Sequence, residues 1–167
     1  MTLNKYSILF CTALLAASST VGAASIEKGD KTLSVFGSLT FADDSDTLLF
    51  SGAFGQFMTD VLELQGQVMM ISSDSDTYDY SLTGLGVNAN YYLPGNNPDL
   101  VPYFGGGGQL IFSDFGGKSE TDLGLNVQAG IKQFLNESTT INYQGMFITS
   151  DNYDATMLSV GLTIFLE

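Results

Sequence analysis

The chain has 167 residues, enough for one domain, with 18 acidic side chains against five lysines, a net charge of −13, and no histidine, arginine or tryptophan. That balance leaves no basic footprint for nucleic acid, and beyond Cys11 there is no thiol for a disulfide. Without histidine, a general base near neutral pH would have to be a strongly perturbed carboxylate, so neither an enzyme nor a cofactor is expected.

Residues 1–23 read as a cleaved secretory signal. Lys5 supplies the charged start, Tyr6 to Ala17 the apolar core, and Val21-Gly22-Ala23 the small-residue exit. The apolar run is too short to span a bilayer, which takes about 20 such residues. Cys11 lies inside that core, ahead of the small residues, and does not fit a lipidated cysteine. The expected mature domain is 24–167.

That domain has no long apolar run. It shows period-two alternation, broken by turn residues. Eight strands are predicted: Thr32–Phe41, Leu48–Phe57, Val61–Ile71, Tyr80–Leu93, Val101–Phe112, Asp122–Phe134, Thr140–Thr149 and Thr156–Leu166. One face of each is apolar, as with Leu62, Leu64, Val68 and Met70 in the third. The opposite face there is Glu63, Gln65, Gln67 and Met69. Three connections are compact: Met58 to Asp60, Pro94 to Leu100, and Asn136 to Ser138. The other four, around Ala42–Asp46, Ser72–Asp79, Ser113–Ser119 and Ser150–Asp154, are rich in Asp, Ser and Gly. An even strand count, with short turns at one end and polar loops at the other, is the layout of an all-β, eight-stranded, antiparallel up-and-down transmembrane barrel.

The kind of polar residue decides which face looks inward. Amides and small residues dominate the polar faces, whereas charge gathers in the loops. Of the 18 acids, 11 lie in or beside the four polar connections: Asp43, Asp44, Asp46, Asp74, Asp76, Asp79, Asp114, Glu120, Asp122, Asp151 and Asp154. A lysine on a lipid face costs roughly 2–4 kcal/mol at mid-depth, so strands nearly free of charge suit hydrocarbon. Phe41, Phe50, Phe112 and Phe147 fall toward the loop ends, and Phe57, Tyr91, Tyr92 and Tyr103 toward the turn ends. The expectation is two interfacial aromatic girdles.

Three stretches carry a family likeness. Gly52 to Gly66 (GAFGQFMTDVLELQG) resembles a hairpin of the small outer-membrane β-barrel proteins of the OmpA and OmpX type. Val87–Leu93 (VNANYYL) with Val101–Gly108 (VPYFGGGG) resembles the next hairpin, and Gly161–Leu166 the C-terminal assembly strand. Such chains usually finish on an aromatic; here Leu166 and Glu167 follow Phe165. The resemblance implies an integral protein of a Gram-negative outer membrane. Its implied partners are outer-membrane lipids, lipopolysaccharide and, through the last strand, the barrel-assembly machinery. The lipid- and protein-modifying enzymes of similar architecture each rely on a histidine, which this chain lacks. The expected role is therefore non-enzymatic, structural or in surface interaction.

Within the lumen, Glu63 and Lys132 are the expected charge pair, with Gln65, Asn90, Gln128 and Asn142 around it. Gly84, Gly86, Gly105, Gly107, Gly124 and Gly130 on the inner face leave open a narrow channel or small-solute binder. A secreted soluble barrel holding an apolar ligand is a further alternative. Eight strands give an interior that side chains roughly fill, so a wide pore is not expected. The acidic loops offer oxygen ligands suited to divalent cations. They lack the spacing of a calcium loop, and solvated, mutually repelling loops are the competing reading.

Overall fold

A computed structural model describes residues 26–166, apart from 43–44, 76–79, 94, 96, 98, 116–117 and 152–153. Eight strands follow one another: β1 (Lys31–Ala42), β2 (Ser45–Thr59), β3 (Leu62–Ser75), β4 (Tyr80–Tyr92), β5 (Leu100–Phe115), β6 (Lys118–Asn136), β7 (Thr139–Thr149) and β8 (Asp154–Leu166). Each pairs antiparallel with its neighbour in sequence, and β8 returns to β1, so the sheet closes into a barrel. Closure removes the sheet edges that hydrocarbon would leave unsatisfied. Every strand is at least as long as the roughly 9–11 residues that span a bilayer when tilted.

Side-chain parity matches the membrane orientation. Leu64, Val127 and Leu162 are 48%, 60% and 52% exposed, while Gln65, Gln128 and Thr163 are buried. Along the middle of β3 and β6 the outward side chains include Leu64, Val68, Met70, Leu125, Val127 and Ile131, and the inward ones include Gln65, Gln67, Asn126 and Gln128. In water, such an apolar belt would be a large exposed patch; against lipid it is the favoured surface.

The turns are held by local polar contacts. Thr59 Oγ1 accepts from Leu62 N at 3.0 Å, and the register shifts between Phe57 and Thr59. Asn136 Oδ1 accepts from Ser138 N, and Asn97 Oδ1 from Asp99 N, both at 3.0 Å. These are the side-chain-to-backbone bonds that favour Asn and Thr in turns.

At the other end the strands run further than alternation predicts. β2 begins at Ser45, β3 continues to Ser75, β5 to Phe115, and β6 begins at Lys118. Stretches expected as loops, within Ala42–Asp46, Ser72–Asp79 and Ser113–Ser119, are therefore largely ladder. A ladder needs only backbone partners, and polar side chains reinforce it: Thr47 Oγ1 lies 3.0 Å from Ser73 Oγ, and Ser119 Oγ donates to Asp114 Oδ2 at 3.2 Å. Residues 1–23, expected as a signal, lie outside the described residues, as do Asp43, Asp44, Asp76 and Asp79 and the side chains of Asp46 and Asp74. Among the described residues no group of three or more acidic, histidine or cysteine side chains could hold a metal.

Candidate functional site

The lumen is filled in three layers. At the turn end, Phe57, Tyr92 and Tyr103 are buried and pack with Ile26, Val101 and Phe165. Ring centroids lie 5.0 Å apart for Phe57 and Tyr92 and 5.3 Å for Tyr92 and Tyr103, a spacing typical of attractive aromatic pairs. The backbone ahead of β1 closes over this floor: Gly29 N donates to Phe57 O and Phe57 N to Asp30 O, and Lys28 N donates to Asp60 Oδ1 at 3.0 Å.

This floor corrects the girdle expectation. Phe57, Tyr92 and Tyr103 face the lumen, because they share parity with the buried Ser51, Asn90 and Gln109 on their strands. Tyr91 and Phe104, 5.6 Å apart, are outward aromatics at this end. Phe50, Phe112 and Phe147 do face outward near the loops, as expected; the side chain of Phe41 is outside the described residues.

Above the floor sits a polar network with Glu63 at its hub. The carboxylate is fully buried. It accepts from Thr32 Oγ1 at 2.5 Å, Tyr92 OH at 2.6 Å and Asn90 Nδ2 at 3.2 Å. Gly55 makes room for it, since a Cβ there would overlap Glu63 Oε1. From Asn90 the chain of bonds crosses the barrel. Gln128 Nε2 donates to Asn90 Oδ1 at 2.5 Å, Gln144 Nε2 to Gln128 Oε1 at 3.1 Å, and Tyr103 OH to Gln144 Oε1 at 2.9 Å. One connected set thus ties β1, β3, β4, β5, β6 and β7. A second links Ser34 to Thr163 and Asn142 Nδ2 to Thr163 Oγ1, each at 2.6 Å.

Both predicted charges are in this lumen, at different places in it. Lys132 is buried, yet its ammonium has no hydrogen-bond partner. It lies 5.3 Å from the Tyr92 ring centre and 5.7 Å from that of Phe165, within cation–π range. Glu63 is the charge that acts on it across the interior. Of the expected neighbours, Asn90 bonds Glu63, Gln128 bonds Asn90, and Gln65 makes only a 3.5 Å contact with Asn90. Asn142 belongs to the second set. Thr32, Tyr92 and Tyr103 were not foreseen as members, though strand parity places all three on the inner face.

Toward the loops the lumen turns apolar. Leu49, Met69, Ile71, Leu82, Ile111, Met146 and Ile148 form a buried cluster with Met157 packed against it. Between this cluster and the network lie Asn88, Gln109 and Asn126. Asn88 Oδ1, Gln109 Nε2 and both side-chain polar atoms of Asn126 find no protein partner, and such buried groups are ordinarily met by ordered water. Side chains fill the space over several of the inner glycines. The space over Gly105 and Gly107 is taken by Asn90 and Asn88, that over Gly130 by the Tyr103 ring, and that over Gly124 by Ile111.

This closed, amide-filled barrel with an apolar exterior has recognisable relatives. The family model for the outer membrane protein beta-barrel domain matches residues 9–164. The chain belongs to that family. The barrel is thus a protein of the Gram-negative outer membrane. Among solved structures it is similar to Neisserial surface protein A, with a TM-score of 0.66 and 15% identity, over 81% of this chain and 95% of that one. The N-terminal β-barrel domain of Pseudomonas aeruginosa OprF gives 0.62 and 20%, over 83% and 98%. Ail, the attachment invasion locus protein of Yersinia pestis, gives 0.59 and 16%, over 83% and 99%. At such identities these likenesses speak for the fold alone. No curated protein sequence matches the barrel.

Proposed function

We propose that the barrel is a non-enzymatic, sealed outer-membrane protein, residues 24–167 after removal of the 1–23 signal, with a structural or surface-interaction role. The observation that carries this reading is the filled lumen. An aromatic floor, a cross-barrel hydrogen-bond network and an apolar layer occupy it in turn. Such an interior braces the wall and leaves little room for solute. Planar-bilayer recordings of the purified barrel are expected to show no discrete conductance steps. Regular, ion-selective steps would replace this reading with the narrow channel.

Glu63 and Lys132 are proposed as a structural charge pair, buried together so that each is the other's counter-charge through the low-dielectric interior. Lys132→Met is expected to lower the thermal unfolding midpoint, because it leaves the Glu63 carboxylate buried with hydrogen bonds but no cation. An unchanged midpoint would dismiss the pair.

The partners proposed for the outer face follow from charge. Ail has been seen in complex with the heparin analogue sucrose octasulfate. With 18 acids, five lysines and no arginine, this chain repels polyanions. Its loops suit instead divalent cations that bridge their carboxylates to lipopolysaccharide phosphates, and basic surfaces. The last strand, Asp154–Leu166, is proposed as the contact for the barrel-assembly machinery.

A further inference from the structure

The β1–β8 ladder is the shortest in the barrel wall among the described residues. Its register runs from Lys31↔Leu166 to Gly37↔Val160 and stops there, although β1 continues to Ala42 and β8 begins at Asp154. By contrast, the β1–β2 register runs the full length of β1, and β7–β8 pairing reaches Thr149↔Asp154. Between residues 38–42 and 154–159 the two strands thus form no ladder pairs, a parting in the pairing of an otherwise closed sheet.

This parting lies within the depth of the hydrocarbon. Phe147, an outward aromatic of the loop-end girdle, pairs with Thr156, on the loop side of Val160. Between them on β8, Leu158 points outward and is 73% exposed. On the other flank the outward-facing Leu48 pairs with Leu39, also beyond the last seam pair. Lipid chains reach this height on both sides.

Behind the parting stands the apolar layer of the lumen. Among the described residues β1 adds no member to that cluster, and β8 adds only Met157, which is partly buried. Ser159 and Met157 of β8 are partly exposed, whereas Gln144 and Met146, their partners on β7, are buried. Leu49, a cluster member, pairs with Ser38, the first β1 residue past the ladder. Three of the side chains here, Met69, Met146 and Met157, are methionines, which repack around an added chain at little cost.

We infer that the β1–β8 parting is a lateral lipid site, in which one acyl chain of an outer-leaflet lipid lies between the two strands with its end against Met157, Met146 and Leu49. The loop end faces the outer leaflet in this topology, which fixes the leaflet. The backbone groups of residues 38–42 and 154–159 that lack ladder partners stand near the polar end of that lipid, where ester and headgroup oxygens can meet the N–H groups. The site adds to the sealed-barrel reading and does not depend on the absence of conductance.

The barrel is reconstituted in phosphatidylcholine nanodiscs that include a phospholipid with a diazirine near the end of one acyl chain. It is then illuminated, and adducts are mapped by mass spectrometry. Adducts are expected on the inward-facing Met157 and Met146 as well as on the outward-facing Leu158 and Phe147. The same measurement on Ser38→Cys with Ser159→Cys, inward-facing residues that would be the next register pair, closes the seam by a disulfide in a domain with no other cysteine. The inward adducts are then lost, the outward ones stay, and reduction restores the original pattern. Where the disulfide does not form, a short bismaleimide across the same cysteines serves the same purpose. Adducts confined to outward residues, inward adducts indifferent to the closure, or crosslinks to a second copy through the seam would each overturn the site. In all three cases the outward adducts still report a membrane barrel.

Discussion

Replacing Glu63 by alanine is expected to lower the unfolding free energy by about 3–5 kcal/mol, the range seen when one member of a buried charge group is removed. The loss has two physical parts. Thr32 Oγ1, Tyr92 OH and Asn90 Nδ2 lose their common acceptor inside the lumen, where water cannot easily replace it. Lys132 is left buried with no counter-charge. Glu63→Gln keeps the shape but presents an N–H to at least one of three donors. It is expected to cost less, about 1–3 kcal/mol. Urea unfolding in phospholipid vesicles, followed by tyrosine emission and by heat-modifiable gel migration, measures both. If the alanine variant unfolds at the wild-type midpoint, the hub does not brace the barrel.

The second large effect is expected on the outside. Val87 is 69% exposed and lies midway along β4 between Tyr91 and Thr83, the latter paired with the girdle residue Phe112. Lysine at this depth of the hydrocarbon is expected to cost roughly 2–4 kcal/mol. At a site this exposed to water, the same substitution would stay within about 0.5 kcal/mol of neutral. Val87→Lys in vesicles therefore separates the two environments by folding yield and urea midpoint. A neutral result would place Val87 in water and end the membrane reading of the outer face.

Most of the fold was legible because a strand facing lipid on one side and the lumen on the other must alternate, and β6 does so without a break from Leu123 to Lys132. The reading weakened where both faces carry the same kind of residue. At the loop end, Leu48-Leu49, Met69-Met70-Ile71, Ile111-Phe112 and Phe147-Ile148 place apolar side chains on both faces. The inward members of those runs build the apolar layer, which alternation alone does not announce. Aromatic content misled at the turn end for a related reason. Tyr91 and Tyr92 differ only in parity, and one meets lipid while the other donates to Glu63. Strand length was underestimated because polar ladders outside the hydrocarbon keep pairing without any hydrophobic signal.

The candidate site was half legible. Two charges on inner faces had to be buried, and Glu63 and Lys132 are. Which amides each would reach depends on register and rotamer. The third strand brings Glu63 beside Asn90, whose row reaches β6 at Gln128, whereas Lys132 pairs with Val101 and Asn142, two inward positions further toward the turns.

The capping of the network at both ends has an environmental consequence. Mobile ions screen charges only where they can approach them, over a Debye length of about 10 Å at moderate ionic strength. The hub is walled off from both baths by rings and aliphatic side chains, so a change from fresh to brackish surroundings leaves its electrostatics untouched. The acidic rim, facing the medium, takes the whole of that change. The molecule can in this way vary how its outer face repels or gathers ions while the buried network inside the eight-stranded wall stays the same.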